Sequence, residues 1–308
     1  MTVLLLLAAC QKEQVTVSPE EETRRDSLAF HVAVMPVMDC LPIYYAERTG
    51  LFEKEGVDVR LQEHMSLMDC DTSLLRGRVE MGYTDVLRTL EMQGDSLPLR
   101  VVMGTDGRVS LVTARKGRMR SLKHLNERMV ALDRLSTADY WSDELMLKAG
   151  LGQAAIYRPQ VNDVQLRTMM LMEQLVDAAL LPEPYATQAE RAGHKRLFEP
   201  NDTAPRFNCM VVRKSLRTDS LRSIQMKHFF AAYDKAVKQL NGKADREVLQ
   251  SILTVDFGLP AEVADSLKLP VFKKVHQTRN GDADRALAWL KSRERKIKQS
   301  ARDSLFLK

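Results

Sequence analysis

Residues 28–64 read LAFHVAVMPVMDCLPIYYAERTGLFEKEGVDVRLQEH, and this stretch sets the architecture. LAFHVAVMP (28–36) is short and apolar, as a buried strand is. LPIYYAERTGLF (41–52) reads as a helix, with Pro42 suited to a first helical position and Gly50 as its stop. VDVRLQEH (57–64) alternates apolar and polar residues with the period of a strand. Strand, helix, strand in that order implies a parallel pair covered by its crossover helix.

The pattern continues in both directions along the chain. VEMGYTD (79–85), LRVVMGTD (99–106) and RVSLVTAR (108–115) read as further strands. A second unit follows: strand RMVALDR (128–134), a helix that Ser136 or Thr137 can cap and Gly150 ends, strand IYRPQVND (156–163), a helix, then strand DAALLP (177–182). RFNCMVVRKSL (206–216) leads back out, and the remainder is helical, with an apolar stripe Phe229, Phe230, Tyr233, Ala236, Val237 and Leu240. The fold class is α/β.

The 308 residues carry a net charge of +5, and 44% are hydrophobic, which excludes a disordered chain and leaves room for two lobes with their own cores. Part of the charge excess sits in KSRERKIKQ (291–299), a solvated helix face. No zinc-knuckle spacing, RNA-binding aromatic motif or second basic stripe is present, so no nucleic acid is expected as a partner. The start MTVLLLLAAC resembles a bacterial lipoprotein signal, with Leu7, Ala8, Ala9 and Cys10 as its lipobox, although no basic residue precedes the apolar run. The resemblance implies lipidation at Cys10, a flexible tether over 11–27, and a place in the cell envelope, anchored to a membrane by lipid. No later stretch has the roughly 20 apolar residues of a spanning helix.

PIYYAERTGLFEKEGVDVRL (42–61), LLRGRVEMGYTD (74–85), LVDAALLPEPYATQAE (175–190) and FGLPAEVADSLKLPVF (257–272) together, in this order, resemble solute-binding proteins of the nitrate, sulfonate and thiamine-precursor class. These are type II periplasmic binding proteins that serve ABC importers. Two departures stand out: Gln174 occupies a usual glycine, and MSLMDCDTS replaces a Gly-Gly-Ser type loop. The resemblance implies two lobes, each a mainly parallel sheet flanked by helices, with two crossing segments as the hinge. Lobe one would comprise 28–115 plus 206–308, and lobe two 116–205. It further implies a monomer that binds a small molecule between the lobes and docks on an ABC permease and its ATPase, with no cofactor and no catalysis.

In open parallel sheets, ligands bind beyond the carboxyl ends of the strands, where helix N-termini point. Those ends place Pro36, Asp39, Cys40, Tyr44, Ser66, Asp69, Thr84, Asp85 and Asp106 in lobe one. Ser136, Thr137, Tyr140, Glu183 and Tyr185 hold the same place in lobe two. Tyr44, Tyr45, Tyr83, Tyr140, Tyr185 and Trp141 gather at these loops, and acids outnumber bases there, an arrangement suited to a planar, amine-bearing heterocycle such as a thiamine-precursor pyrimidine. The repeated Met-Asp-Cys brings Cys40 and Cys70 to neighbouring strand ends. They either form a disulfide, worth about 3.5 kcal/mol by chain entropy, or line the pocket as free thiols. A metal site of two Cys and two Asp lacks a histidine at useful spacing, so no metal is assigned. Cys209 in FNCMVV reads as a buried strand residue. Two other functions stay open: an enzyme on the same fold, of pyrimidine-synthase or menaquinone-pathway dehydratase type, and a ligand-sensing lipoprotein.

Overall fold

Nine strands form two sheets among the described residues of the computed structural model, which are 18–93, 98–279 and 281–306. The lipobox with Cys10, and tether residues 11–17, lie outside them. The first sheet holds β1 (Phe30–Val34), β2 (Val59–Glu63), β3 (Met81–Asp85), β4 (Leu99–Gly104) and β9 (Asn208–Arg213), in the order β2-β1-β3-β9-β4. The second holds β5 (Val109–Thr113), β6 (Val130–Ala131), β7 (Ala178–Pro182) and β8 (Lys195–Phe198), in the order β6-β7-β5-β8. β1 pairs in parallel with β2 and β3, and β6 with β7. One strand in each sheet runs against the rest, β9 in the first and β5 in the second. Both sheets are therefore mixed. The reversed strands are the two that the chain enters directly after crossing between sheets, at 105–108 and at 199–207.

The opening stretch folds as its pattern dictates. β1 buries four of its five residues, and Pro42 sits in the first turn of the helix Leu41–Arg48. Gly50 takes φ +64, the left-handed conformation that glycine adopts without a Cβ penalty, and there the chain turns into the next short helix, Leu51–Lys54. The long helix Ser220–Leu240 lies on both of these helices and on β1. Phe229 packs there between Phe52, ring centroids 5.1 Å apart, and Phe30, 6.0 Å apart.

Three expectations change. Residues 19–27 are no tether: Pro19–Leu28 is a helix, started by Ser18, which accepts from the Glu21 amide, and by Pro19 in its first turn. It buries no residue, which is why no apolar period marks it. β5 belongs to the second sheet, so lobe one gives way at 105–108 rather than at 115. Residues 156–160 touch β6 and its flank only through isolated parallel bridges, Met129 to Tyr157 and Leu132 to Gln160, because this edge segment pairs at single residues.

Candidate functional site

The carboxyl ends of the strands meet across the two sheets. Met38 N–H donates to the Glu183 carbonyl at 2.9 Å, and Val164 N–H to the Met65 carbonyl at 2.9 Å. Asp85 ends β3 and caps the helix Val86–Met92; its Oδ2 accepts from the Thr137 amide at 2.8 Å and the Thr137 hydroxyl at 3.1 Å. The same Thr137 hydroxyl lies 3.0 Å from Asn208 Oδ1, so its one proton is shared between the two acceptors. Asp85, Thr137 and Thr84 thus form a buried seam rather than an open wall.

Asp85 is fully buried, and burial pushes its carboxyl up to about 6, against the pull of the Arg88 amide. The folded protein therefore binds this proton more tightly than the unfolded chain, whose ordinary value is 3.8. Stability from this group is present below pH 4 and is lost as pH rises toward 6, about 3 kcal/mol in all. Asp85→Asn is expected to flatten the decline of unfolding free energy over that window in urea titrations at graded pH. An unaltered pH slope in the variant would refute the assignment.

Beside the seam, where both crossing segments pass, lies a cleft of about 680 Å³, within the range of small-molecule sites. Asp39, Asp106 and Glu183 line it as the sequence predicts. Asp39 follows β1; its Oδ2 accepts from Tyr83 Oη at 2.6 Å and Asn208 Nδ2 at 2.7 Å, and Gly107 packs against the carboxylate. Burial raises its pKa, opposed by those donors. Burial also raises Asp106, but hydrogen bonds from His276 and Lys273 prevail and hold it at about 2.

The remaining predicted residues serve the frame. Pro36, Cys40 and Tyr44 are buried; Tyr44 meets Phe257 edge-on at 5.2 Å, with its hydroxyl unpartnered. Ser66 caps the helix Leu67–Leu75 and donates to Asp69 at 2.6 Å, while Asp69 is exposed. Ser136 caps the helix Thr137–Lys148. Tyr140 packs among Trp141, Phe207 and Trp289, and Tyr185 donates to the Phe257 carbonyl at 3.3 Å. The expected aromatic wall is therefore core: side chains in a helix's first turn follow its 3.6 period onto the sheet. The aromatics that do line the cleft, Tyr233 and Phe272, come from the C-terminal third. Cys40 and Cys70 form no disulfide; both are free and buried, and Cys70 donates to the Val34 carbonyl at 3.8 Å. Cys209 is buried within β9, as expected.

The balance of charge also differs from the expectation. Arg108, Arg191, Arg206, Lys268, Lys273 and Arg279 line the cleft together with His276, against the acids Asp39, Asp106, Glu183, Glu199 and Asp202. Most of the missed cations come from the irregular segment 267–279, whose charge run KKVHQTR (273–279) breaks any apolar period. This segment crosses the cleft as a strap. Phe272 exchanges two hydrogen bonds with the Asn241 side chain, and the His276 carbonyl accepts from Gly104 N–H at 2.8 Å. Lys273, His276 and Arg279 converge on Asp106 in the first crossing segment. Arg206, in the second, is 4% exposed; its guanidinium meets the carbonyls of Asn201 and Pro205. Burial depresses its pKa, and Arg108 and Arg279 depress it further.

A second concavity, about 990 Å³, opens broadly beside Tyr157 and Arg158. Its arginines Arg134, Arg158 and Arg293 are already engaged by Asp139 and Asp143, which leaves the cleft as the better site. Among the described residues no group of three or more His, Cys, Asp or Glu side chains is placed to hold a metal ion, and no helix is long and apolar enough to cross a membrane.

Comparison with known proteins agrees with this architecture. The family model described as NMT1/THI5 like matches residues 38–243. The alkanesulfonate-binding protein SsuA from Xanthomonas axonopodis pv. citri, solved with MOPS bound, superposes with a TM-score of 0.72 at 14% identity, over 90% of this chain and 94% of that one. A ligand-binding component of an ABC-type import system from Staphylococcus aureus, with zinc bound, gives 0.74 at 15% identity, over 91% and 96%. The periplasmic nitrate-binding protein NrtA from Synechocystis gives 0.73 at 11% identity, over 91% and 86%. The shared fold is that of periplasmic binding proteins. No curated protein matches the sequence.

Proposed function

The chain belongs to the NMT1/THI5-like family, and from that premise we propose that it is the solute-binding component of an ABC importer. It captures a small solute carrying an anionic group in the cleft between the two sheets, and delivers it to a membrane permease driven by its ATPase. The observation that carries this reading is the cleft itself. It is enclosed by both crossing segments and by side chains from both lobes, and three of its lining cations, Arg191, Arg206 and Lys268, form no ion pair among the described residues. A solute seated there touches both lobes at once and so favours their closure. Two of the similar folds are described as alkanesulfonate-binding and nitrate-binding, and both names denote anionic solutes. Lipidation at Cys10 would hold the protein at the membrane as a monomer beside its permease. A heterocycle loses its main support, because the tyrosines invoked for it are core residues.

Thermal unfolding with a panel of alkanesulfonates, nitrate, bicarbonate, thiamine-precursor pyrimidines and amino acids tests the reading. A true solute at a hundred times its Kd stabilises by about 2.7 kcal/mol, roughly 5–10 °C for lobes of this size. A flat response to every compound, with no small molecule co-purifying by native mass spectrometry, would sink solute capture.

A further inference from the structure

Residues 267–279 run between the helices Ala261–Ser266 and Asp282–Ser292 without helix or strand, and eight of them line the cleft, so this strap forms much of its wall. Val271 is 83% exposed, which leaves the outer side of the strap uncovered there. Its main-chain anchors are few. Phe272 N–H donates to Asn241 Oδ1 at 2.9 Å, and its carbonyl accepts from Asn241 Nδ2 at 2.7 Å. Val275 N–H donates to Asp234 Oδ1 at 2.8 Å, and the His276 carbonyl accepts from Gly104 N–H at 2.8 Å. Side chains tie the strap to the hinge. Arg279 donates to the Asp202 and Ala204 carbonyls in the second crossing segment. Lys273, His276 and Arg279 all meet one carboxylate in the first, Asp106, at 3.0, 3.3 and 3.7 Å.

The His276 ring stands between two acceptors. Its Nδ1 lies 2.8 Å from the Lys274 carbonyl and its Nε2 3.3 Å from the Asp106 carboxylate. Neither oxygen can donate, so the ring serves both only with a proton on each nitrogen. A neutral ring turns a lone pair on one of them. We propose that the strap is a gate over the cleft, latched to the first crossing segment through Asp106, and that His276 makes the latch sensitive to pH, closed while its ring is doubly protonated and loosened when it is not. The hydrogen bond to Asp106 holds the His276 pKa above its ordinary 6.5, against the pull of burial and of Lys273, and Asp106 at about 2 stays charged throughout. The latch is therefore complete below pH 6.5 and weakens as pH rises through the raised value. The other groups that face this cluster are Arg108 from the first crossing segment, Asp202 and Arg206 from the second, and Tyr233 and Asp234 from the long helix. Burial pushes the Tyr233 phenol up. Ordinary acids, guanidiniums and a raised phenol do not change charge near neutral pH, which leaves His276 as the group that does. Slower solute release at the acidic end is the consequence; it rests on the solute-capture reading above, whereas the gate itself does not.

Hydrogen–deuterium exchange on the full chain without solute, read by NMR at the Phe272 and Val275 amides from about pH 5.5 to about 8.5, tests this. Dividing by the exchange rates of an unstructured peptide of residues 267–279 at each pH removes the intrinsic pH dependence of the chemistry. Protection at both amides is expected to fall about tenfold across the range, the worth of one charge-assisted hydrogen bond, with its midpoint above 6.5. His276→Gln should show the low protection at every pH, and Asp106→Asn should do the same, while amides within β1 exchange as in the parent. Should Asp106→Asn fail to fold, the parent and His276→Gln still decide. Equal protection of the strap at both ends of the range, or a His276→Gln variant that keeps the parent's slope, would overturn the gate. No solute takes part in this measurement, so a strap indifferent to pH leaves solute capture standing, and a solute panel without effect leaves the gate standing.

Discussion

Asp143→Ala is expected to lower the unfolding free energy by about 3–5 kcal/mol, because it leaves two guanidiniums and an indole N–H without their buried acceptor. Asp143 sits on the helix Thr137–Lys148 and is 1% exposed. Its Oδ1 accepts from Arg158 at 3.0 Å, and its Oδ2 from Trp289 Nε1 at 3.0 Å and Arg293 at 3.2 Å. Trp289 belongs to the helix Asp282–Ser292, and Arg293 follows it directly, so the carboxylate ties the chain's last third to the second lobe. Burial pushes its carboxyl up while Arg293 and Arg158 pull it down. The neighbouring Asp139 keeps longer-range contacts with both arginines, 3.9 Å to Arg158 and 3.7 Å to Arg293, so part of the charge stays offset while the direct hydrogen bonds of Asp143 are lost. A drop in Tm of roughly 6–20 °C should follow. Asp143→Asn keeps an acceptor for the indole and loses only the charge, so its loss should be the smaller of the two. Urea unfolding that places Asp143→Ala within about 1 kcal/mol of the parent would show that the cluster adds nothing net.

Local signals carried the opening unit well and the long-range pairing poorly, for a physical reason. A period of two or 3.6 is a property of neighbouring residues, so β1, β2 and the proline-started helix between them were legible. The sheet to which a strand belongs is set by residues far away. β4 and β5 are separated by only four residues, a spacing usual for partners in one sheet, yet the chain there crosses between sheets. Ser18-Pro19-Glu20-Glu21 carries a legible helix start, but nothing in 19–28 packs, so an apolar search passes over it.

The site divided along the same line. Asp39, Asp106 and Glu183 follow strand ends, and the rule of carboxyl ends finds such residues directly. Arg206, Lys268 and Lys273 reach the cleft on crossing and strap segments that no periodicity marks. Missing them reversed the balance of charge along the cleft wall. The tyrosines misled in the opposite sense, since a ring near a strand end in sequence has a helix's period to carry it into the core. The sequence held the local elements, and only part of how they assemble and of the chemistry they carry.

Gly107→Ala should be the single substitution most damaging to solute binding, with a loss of about a hundredfold or more, equivalent to about 2.7 kcal/mol. Gly107 lies in the first crossing segment, between β4 and β5, and its conformation is open to any residue, so backbone strain is not the issue. Space is. A Cβ there would overlap Cγ and both carboxylate oxygens of Asp39. That carboxylate is no loose chain end: Tyr83 and Asn208 hold it at 2.6 and 2.7 Å, and Tyr83 is itself 3% exposed. Either Asp39 leaves its donors or the crossing segment shifts, and each moves an acid that lines the cleft. Overpacking of this kind costs about 1–3 kcal/mol of stability as well. Gly152→Ala is the control: its Cβ would meet nothing within 4 Å, and it should be neutral or stabilise by up to about 1 kcal/mol. Calorimetric titration of both variants with the solute found for the parent separates the outcomes. Parent-like affinity in Gly107→Ala would mean that the solute does not rest against Asp39 or the first crossing segment.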